Sequence, residues 1–305
     1  MRNESLHQIV AALTTPNEYI PTFDEIGIDS EELRRAVTLF RQAVFAGYFG
    51  LSKSEMSQLT ADRPAPFSAS ILSTLEELKS ILTRQISRAC RLFGNKCSTS
   101  QGQEPTDSSR ITEQMLRLIP ELRRQLSTDV KAVFDGDPAA ESYEEVILCY
   151  PAIVAMTHYR IAHGLLQLGV PILPRLITEM AHSATGIDIH PGAVIGDYFS
   201  IDHGTGVVIG ETCIIGKHVR LYQGVTLGAK SFKFDAAGNI LQEPRHPILE
   251  DRVVVYSNAS ILGRIRIGHD SIVGGNVWQT TDLPPYSRVI QGQASISAFE
   301  HGSGI

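Results

Sequence analysis

Residues 189–278 repeat with a period of six, and that period excludes most of the ways a chain can fold. Written in sixes, an aliphatic residue leads each block: Ile189, Ile195, Ile201 and Val207, then Ile209, Ile215, Leu221 and Leu227, then Leu249, Val255, Ile261, Ile267 and Val273. Glycine often stands second. Six matches neither the 3.6-residue turn of a helix nor the two-residue alternation of a hairpin meander. It is the repeat of a parallel β-helix, in which each six supplies one short flat strand and one corner, and the leading side chain stacks on its equivalent in the next coil. A sandwich of short strands does not account for thirteen block-leading residues with only two breaks in phase.

Those breaks are where a regular ladder needs nothing. The first, at His203-Gly204-Thr205-Gly206, shifts the register by two residues. The second expels residues 229–247, with an Asp235-Ala236-Ala237-Gly238-Asn239 turn, off the prism. Irregular segments carried by a rigid scaffold are where chemistry collects.

Upstream the period changes. Residues 1–185 hold eight of the 25 glycines and residues 186–305 hold 17, so composition shifts near 186. Helical stripes run through Ser30–Val44, Ser70–Phe93, Ile111–Phe134 and Ile153–Leu168, the first opening on Ser30 as N-cap. Pro120 should bend or divide the third, and Gly169 and Pro171 should end the fourth. The expected organisation is α + β: a helical N-terminal domain (1–185), a β-helix domain (186–290) with an excursion at about 229–247, and a flexible C-terminal tail (291–305).

The charge balance, 27 − 33 = −6, comes with no basic stripe and argues against a nucleic-acid partner. The first residues lack the apolar core of a signal peptide, and no run reaches a membrane span. Cys90, Cys97, Cys149 and Cys213 form no CxxC or disulfide framework, so they read as thiols in a reducing cytoplasm.

Taken together, Ile187-Asp188-Ile189-His190-Pro191, the run Ile201-Asp202-His203-Gly204-Thr205-Gly206 to Thr212, Gln223-Gly224-Val225-Thr226-Leu227-Gly228, and Arg245-His246-Pro247 resemble the serine O-acetyltransferases. The resemblance is close over about 130–290 and loose upstream. It implies a left-handed coil, against the usual right-handed crossover rule. It implies acetyl transfer from acetyl-CoA to the hydroxyl of L-serine, the first step of cysteine biosynthesis, with acetyl-CoA as co-substrate and no metal. One departure is clear: Ala229-Lys230-Ser231-Phe232-Lys233-Phe234 replaces a glycine-rich stretch, and Lys230 or Lys233 could meet a phosphate.

A serine hydroxyl needs a base, and imidazole has a suitable pKa. His203 sits on the two-residue break, where a side chain can leave the prism wall. Asp188 precedes it by 15 residues, less than one 18-residue coil, so the two fall on neighbouring coils, and the resemblance pairs them as a dyad. It also assigns Asp137 and Asp202 to the substrate ammonium and Arg245 and His246 to its carboxylate. Gly228, Ala229, Ser257 and Gly275 occupy places that receive the coenzyme. L-Cysteine, with the same ammonium and carboxylate, should compete as a feedback inhibitor. The resemblance implies a homotrimer, or a dimer of trimers joined by the helices. It likens Gly302-Ser303-Gly304-Ile305 to a tail that docks, through the Ile305 carboxylate, into O-acetylserine sulfhydrylase.

Three other readings compete. A hexapeptide acyltransferase for sugar or antibiotic hydroxyls would not need Asp137, Arg245 and His246 together. A zinc hydratase needs three convergent histidines, yet His190, His203, His218, His246 and His269 show no repeated spacing. A non-catalytic scaffold leaves Asp188 and His203 unexplained.

Overall fold

The computed structural model describes residues 3–15, 19, 27–49, 65–93 and 107–292. The Ile305 tail lies outside them. Among these residues seven helices come first: α1 (Asn3–Thr14), α2 (Ser30–Val44), α3 (Ala65–Leu92), α4 (Ser108–Gly136), α5 (Tyr143–Cys149), α6 (Pro151–Gln167) and α7 (Leu173–Thr185). Asp29, not Ser30, caps α2, its carboxylate accepting the Glu31 and Glu32 amides at 2.9 and 3.1 Å. Pro120 does not divide α4, which runs unbroken through it. It lies on the exposed face between buried Ile119 and Leu122, so packing holds the helix together and water can reach the freed carbonyl. Cys90 departs from the all-thiol expectation, being disulfide-bonded, whereas Cys149 and Cys213 are free.

Fourteen short strands follow, from β1 (Asp188–Ile189) to β14 (Arg288–Val289), all paired in parallel. They form three sheets, ordered β1-β4-β7-β10-β13, β2-β5-β8-β11 and β3-β6-β9-β12-β14, the three faces of a left-handed prism. Every block-leading residue is buried, as are most fifth positions, among them Ala193, Phe199, Val219, Val225 and Val253. Coils are 18 residues apart where regular (Val208 with Thr226). The offset is 20 across the first break (Asp188 with Val208) and 34 across the excursion (Ile214 with Ile248). A third irregularity, unforeseen in the sequence, shortens the last coil to 16 (Ile272 with Arg288).

The corners are not reserved for glycine. One column runs Tyr198, His218, Arg252, Asp270 and Tyr286, all at φ near 60°. Left-handed backbone costs an L-residue about 1–2 kcal/mol, and stacking along the edge offsets it. Tyr198 and His218 rings lie 4.4 Å apart, and Arg252 bonds Asp270 at 2.6 Å.

The helices dock on this edge through buried polar groups. Arg160 of α6 clasps Asp129 of α4 at 2.6 and 2.8 Å and donates to the Gly196 carbonyl at 3.1 Å. Asp129 also accepts the Phe199 amide, and Tyr159 donates to the Ala193 carbonyl at 2.6 Å. This joint sets where the end of α4 meets the prism. Among the described residues no helix is long and apolar enough to cross a membrane.

Candidate active site

The two residues inserted at the first break are His203 (φ 57°) and Gly204 (φ 89°). A side chain at Gly204 would put its Cβ 2.6 Å from Ile187, so only glycine closes this turn. The bulge pushes His203 out of the wall; its side chain is 75% exposed, with Nε2 3.9 Å from the Asp202 carboxylate. The turn rests on the coil below through the Gly206 amide, which donates to the Gly186 carbonyl at 2.8 Å.

Asp137, at the end of α4, joins this corner. Its amide closes the helix on the Val133 carbonyl, and its Oδ1 accepts the Ala139 amide at 2.8 Å. It is therefore a helix-stop residue by geometry, but its other oxygen accepts the Tyr150 hydroxyl at 2.6 Å. That bond, then the Ala139 amide, holds the Asp137 carboxyl below the usual carboxylate range, with His203 and Arg220 close enough to add to the effect. The same bond pushes the Tyr150 phenol up to about 12. Asp137 and Asp202 line one narrow cleft with Val133, Gly136, Ser200 and Arg220. Arg220 of β6 (Arg220–Tyr222) donates to the Gly136 carbonyl at 3.1 Å, and a Cβ at Gly136 would lie 2.1 Å from its guanidinium. Sequence reasoning missed Tyr150 and Arg220, since neither lies on a motif or a break.

A second group occupies a different edge, between β7 (Thr226–Gly228) and β8 (Ile248–Leu249). Arg245 pairs with Glu211 at 2.9 Å. His246 is buried, and its Nδ1 accepts the Thr212 amide at 3.1 Å while facing the Thr212 hydroxyl at 2.9 Å. With donors on Nδ1, the neutral ring carries its proton on Nε2. Burial, then Arg245, lowers the His246 pKa to about 4, so it is a neutral donor at pH 7. Gly210 is required beneath it, since a Cβ there would lie 2.0 Å from the ring. Arg264 clips the backbone, donating to the Thr212 and His246 carbonyls at 2.6 and 2.9 Å.

The face β1-β4-β7-β10-β13 separates the two groups, and among the described residues no hydrogen bond or ion pair links them. Asp188, on β1, is not bonded to His203; its carboxylate lies within 4.8 Å of ligand atoms of Glu179 and His182 on α7. That trio is the one group of metal-compatible spacing among the described residues, and it contains none of the five histidines weighed for a zinc hydratase. His218 is stacked on Tyr198, and His269 is bonded to Asp270 at 2.7 Å.

The expected coenzyme positions divide the same way. Gly228 and Ala229 lie on the Arg245 edge, where the Gly228 carbonyl accepts the Gly263 amide at 2.9 Å. Ser257 and Gly275 stack on the His203 edge, and a Cβ at Gly275 would approach the Ser257 carbonyl to 3.2 Å. The excursion folds as a small hairpin, with Phe234 bridging Ile240 and Asp235 capping the Ala237 and Asn239 amides. Beneath it is a cleft of about 250 Å³ lined by Lys230, Phe232, Leu241, Arg245, Gly263 and Arg264. Lys233 is tied to Glu243 at 2.8 Å.

No family model matches the chain. It is 48% identical over 237 residues to a plasmid-encoded serine acetyltransferase of Synechococcus elongatus, covering 76% of this chain and 74% of that one. The chain belongs to the serine acetyltransferase family. The Bacillus subtilis serine acetyltransferase is 44% identical over 167 residues, 55% of this chain and 73% of that one. Serine acetyltransferase isoform 3 of Entamoeba histolytica, solved in complex with cysteine, superposes with a TM-score of 0.71 at 28% identity, over 98% of this chain and 95% of that one. The soybean serine acetyltransferase solved with serine gives 0.54 at 28%, over 88% and 98%. Acetyl transfer from acetyl-CoA to serine, the entry to cysteine biosynthesis, is thus the reaction of this chain, and the sugar-acyltransferase, hydratase and scaffold readings fall away.

Proposed function

We propose that His203 is the general base and that each active site is shared by two chains. His203 takes the proton from the serine hydroxyl as its oxygen attacks the thioester carbonyl. The tetrahedral intermediate collapses with cleavage of the C–S bond, and the imidazolium returns the proton to the leaving thiolate, giving O-acetylserine and CoA. Asp137 and Asp202 receive the serine ammonium. Arg245 and the Nε2–H of His246 receive its carboxylate, a fork and a neutral donor suited to that group. Asp188 orients His203 from the coil below, lying two residues past Gly186, on which the inserted turn rests. Acetyl-CoA lies along the face between the edges, against Gly228, Ala229, Ser257 and Gly275. L-Cysteine occupies the serine site as a feedback ligand.

One observation carries this reading: His203 and Arg245 stand on different edges of the same prism, so one chain does not close around an amino acid. A homotrimer brings one chain's His203 edge against its neighbour's Arg245 edge. In this reading residues 186–290 are the catalytic domain, and residues 1–185 contribute Asp137 and join two trimers. The tail, through Ile305, engages O-acetylserine sulfhydrylase in the cytoplasm.

The test is complementation. His203→Ala chains, nearly inactive, and Arg245→Ala chains, about tenfold weaker at low serine, are unfolded together and reassembled, and activity is read at serine well below the KM. A mixed trimer should contain one native site in about three, and activity should rise above that of either parent. No recovery in trimers shown to be mixed would place the whole site within one chain.

A further inference from the structure

Tyr150 has no part in the reaction as described so far, yet its geometry is specific. It stands at the junction of α5 and α6, followed by Pro151. A residue before proline is pushed out of the helical region, and Tyr150 adopts φ −80°, ψ 122°, ending one helix and starting the next. This fixes its backbone on both sides. Its amide donates to the Val146 carbonyl, and its carbonyl accepts the Ile153 amide at 3.1 Å. From that anchored position the hydroxyl reaches back 13 residues to Asp137 Oδ2 at 2.6 Å, the short distance of a charge-assisted bond. It is also close enough to Asp202 to feel its charge.

A carboxylate offers about four lone-pair positions. Tyr150 and the Ala139 amide take one on each Asp137 oxygen, which fixes the rotation of the carboxylate and leaves one free position on each. Without the phenol, the carboxylate would keep only the Ala139 amide on one oxygen, and its rotation would no longer be fixed.

We infer that Tyr150 is a positioning residue: it locks the Asp137 carboxylate, charged and correctly rotated, as an acceptor for the substrate ammonium. The inference rests on the assignment of Asp137 to that ammonium. A serine analogue lacking the amine gains nothing from a locked carboxylate, so Tyr150 contributes to selection of an α-amino acid over a plain hydroxy acid.

The experiment is a double-mutant cycle on the full chain, using Tyr150→Phe, Asp137→Asn and both together. Steady-state constants for serine and acetyl-CoA are measured with thermal unfolding of each variant. Tyr150→Phe keeps the ring and its packing. The serine KM should rise about tenfold, as expected for a lost hydrogen bond to a charged group. The kcat should stay within about twofold and the acetyl-CoA KM should not move, since neither uses the ammonium contact. In the Asp137→Asn background Tyr150→Phe should change the serine KM by less than about twofold. Equal effects of Tyr150→Phe in both backgrounds, or a fall in kcat and stability without a serine-specific KM change, would overturn the inference and leave Asp137 in place. An Asp137→Asn enzyme with an unaltered serine KM would remove Asp137 from the ammonium site and the inference with it.

Discussion

The helical region and the prism bury their apolar residues by opposite means, and they differ in how they tolerate an irregularity. A helix in a bundle is held by one stripe of side chains, so Pro120 can break a hydrogen bond on the wet face of α4 while Ile119 and Leu122 keep their places. A coil of the prism is held by register with the coils on either side. Two extra residues there cannot be absorbed, and they become a bulge bearing His203 and Gly204. Irregularity is therefore silent in the helices and conspicuous in the prism, and chemistry in the helices hides at the helix ends.

The sharpest way to break this contrast is His203→Ala. Turnover should fall roughly 10²–10⁴-fold, with the melting temperature unchanged because the side chain is 75% exposed. Retained turnover would remove the bulge from the mechanism. Asp129→Ala tests the joint between the two regions. It leaves the Arg160 guanidinium buried without its partner, and denaturant titration should show a loss of about 3–5 kcal/mol. A loss below about 1 kcal/mol would mean that the helices dock by apolar contact alone.

Acidification should act through the prism. The His246 pKa is about 4 folded against 6.5 for an ordinary histidine. Between those values the unfolded chain binds more protons, so stability is full above about pH 6.5 and declines as pH falls toward 4. The expected loss is on the order of 1–3 kcal/mol, and His246→Asn should flatten that part of the profile. The smallest expected effect is on affinity: Arg245→Ala should raise the serine KM about tenfold and the acetyl-CoA KM far less. Equal rises would give Arg245 a purely structural role through Glu211.

What the sequence makes legible follows from the same contrast. The block-leading residues, the coil and the position of His203 can all be read from a period and its interruption, because in a prism local spacing is spatial stacking. The Arg245 edge is legible only by resemblance, although its supports, Gly210, Glu211 and Thr212, stand in one run of chain. Tyr150 and Arg220 leave no trace. Arg220 meets Gly136 across 84 residues, and nothing in a six-residue or 3.6-residue period encodes a meeting between a helix end and a strand. The corners, too, depend on neighbours one coil away. Glycine is the default for left-handed backbone, yet Tyr198, His218 and Arg252 hold it because their neighbours one coil away stabilise them.

Ile214 pairs with Ile248 in the same register as it would have without the hairpin: the 34-residue offset is one 18-residue coil plus 16 residues that leave the prism and return. Chain length at that corner is therefore hereditarily cheap. A gene can lengthen, shorten or exchange this segment and the coils beyond it will stack unchanged, while Arg245 and His246, rooted at its exit by Thr212, stay where they are. If Arg245 and His246 hold the serine carboxylate as proposed, the wall beside them can drift between lineages while that grip cannot.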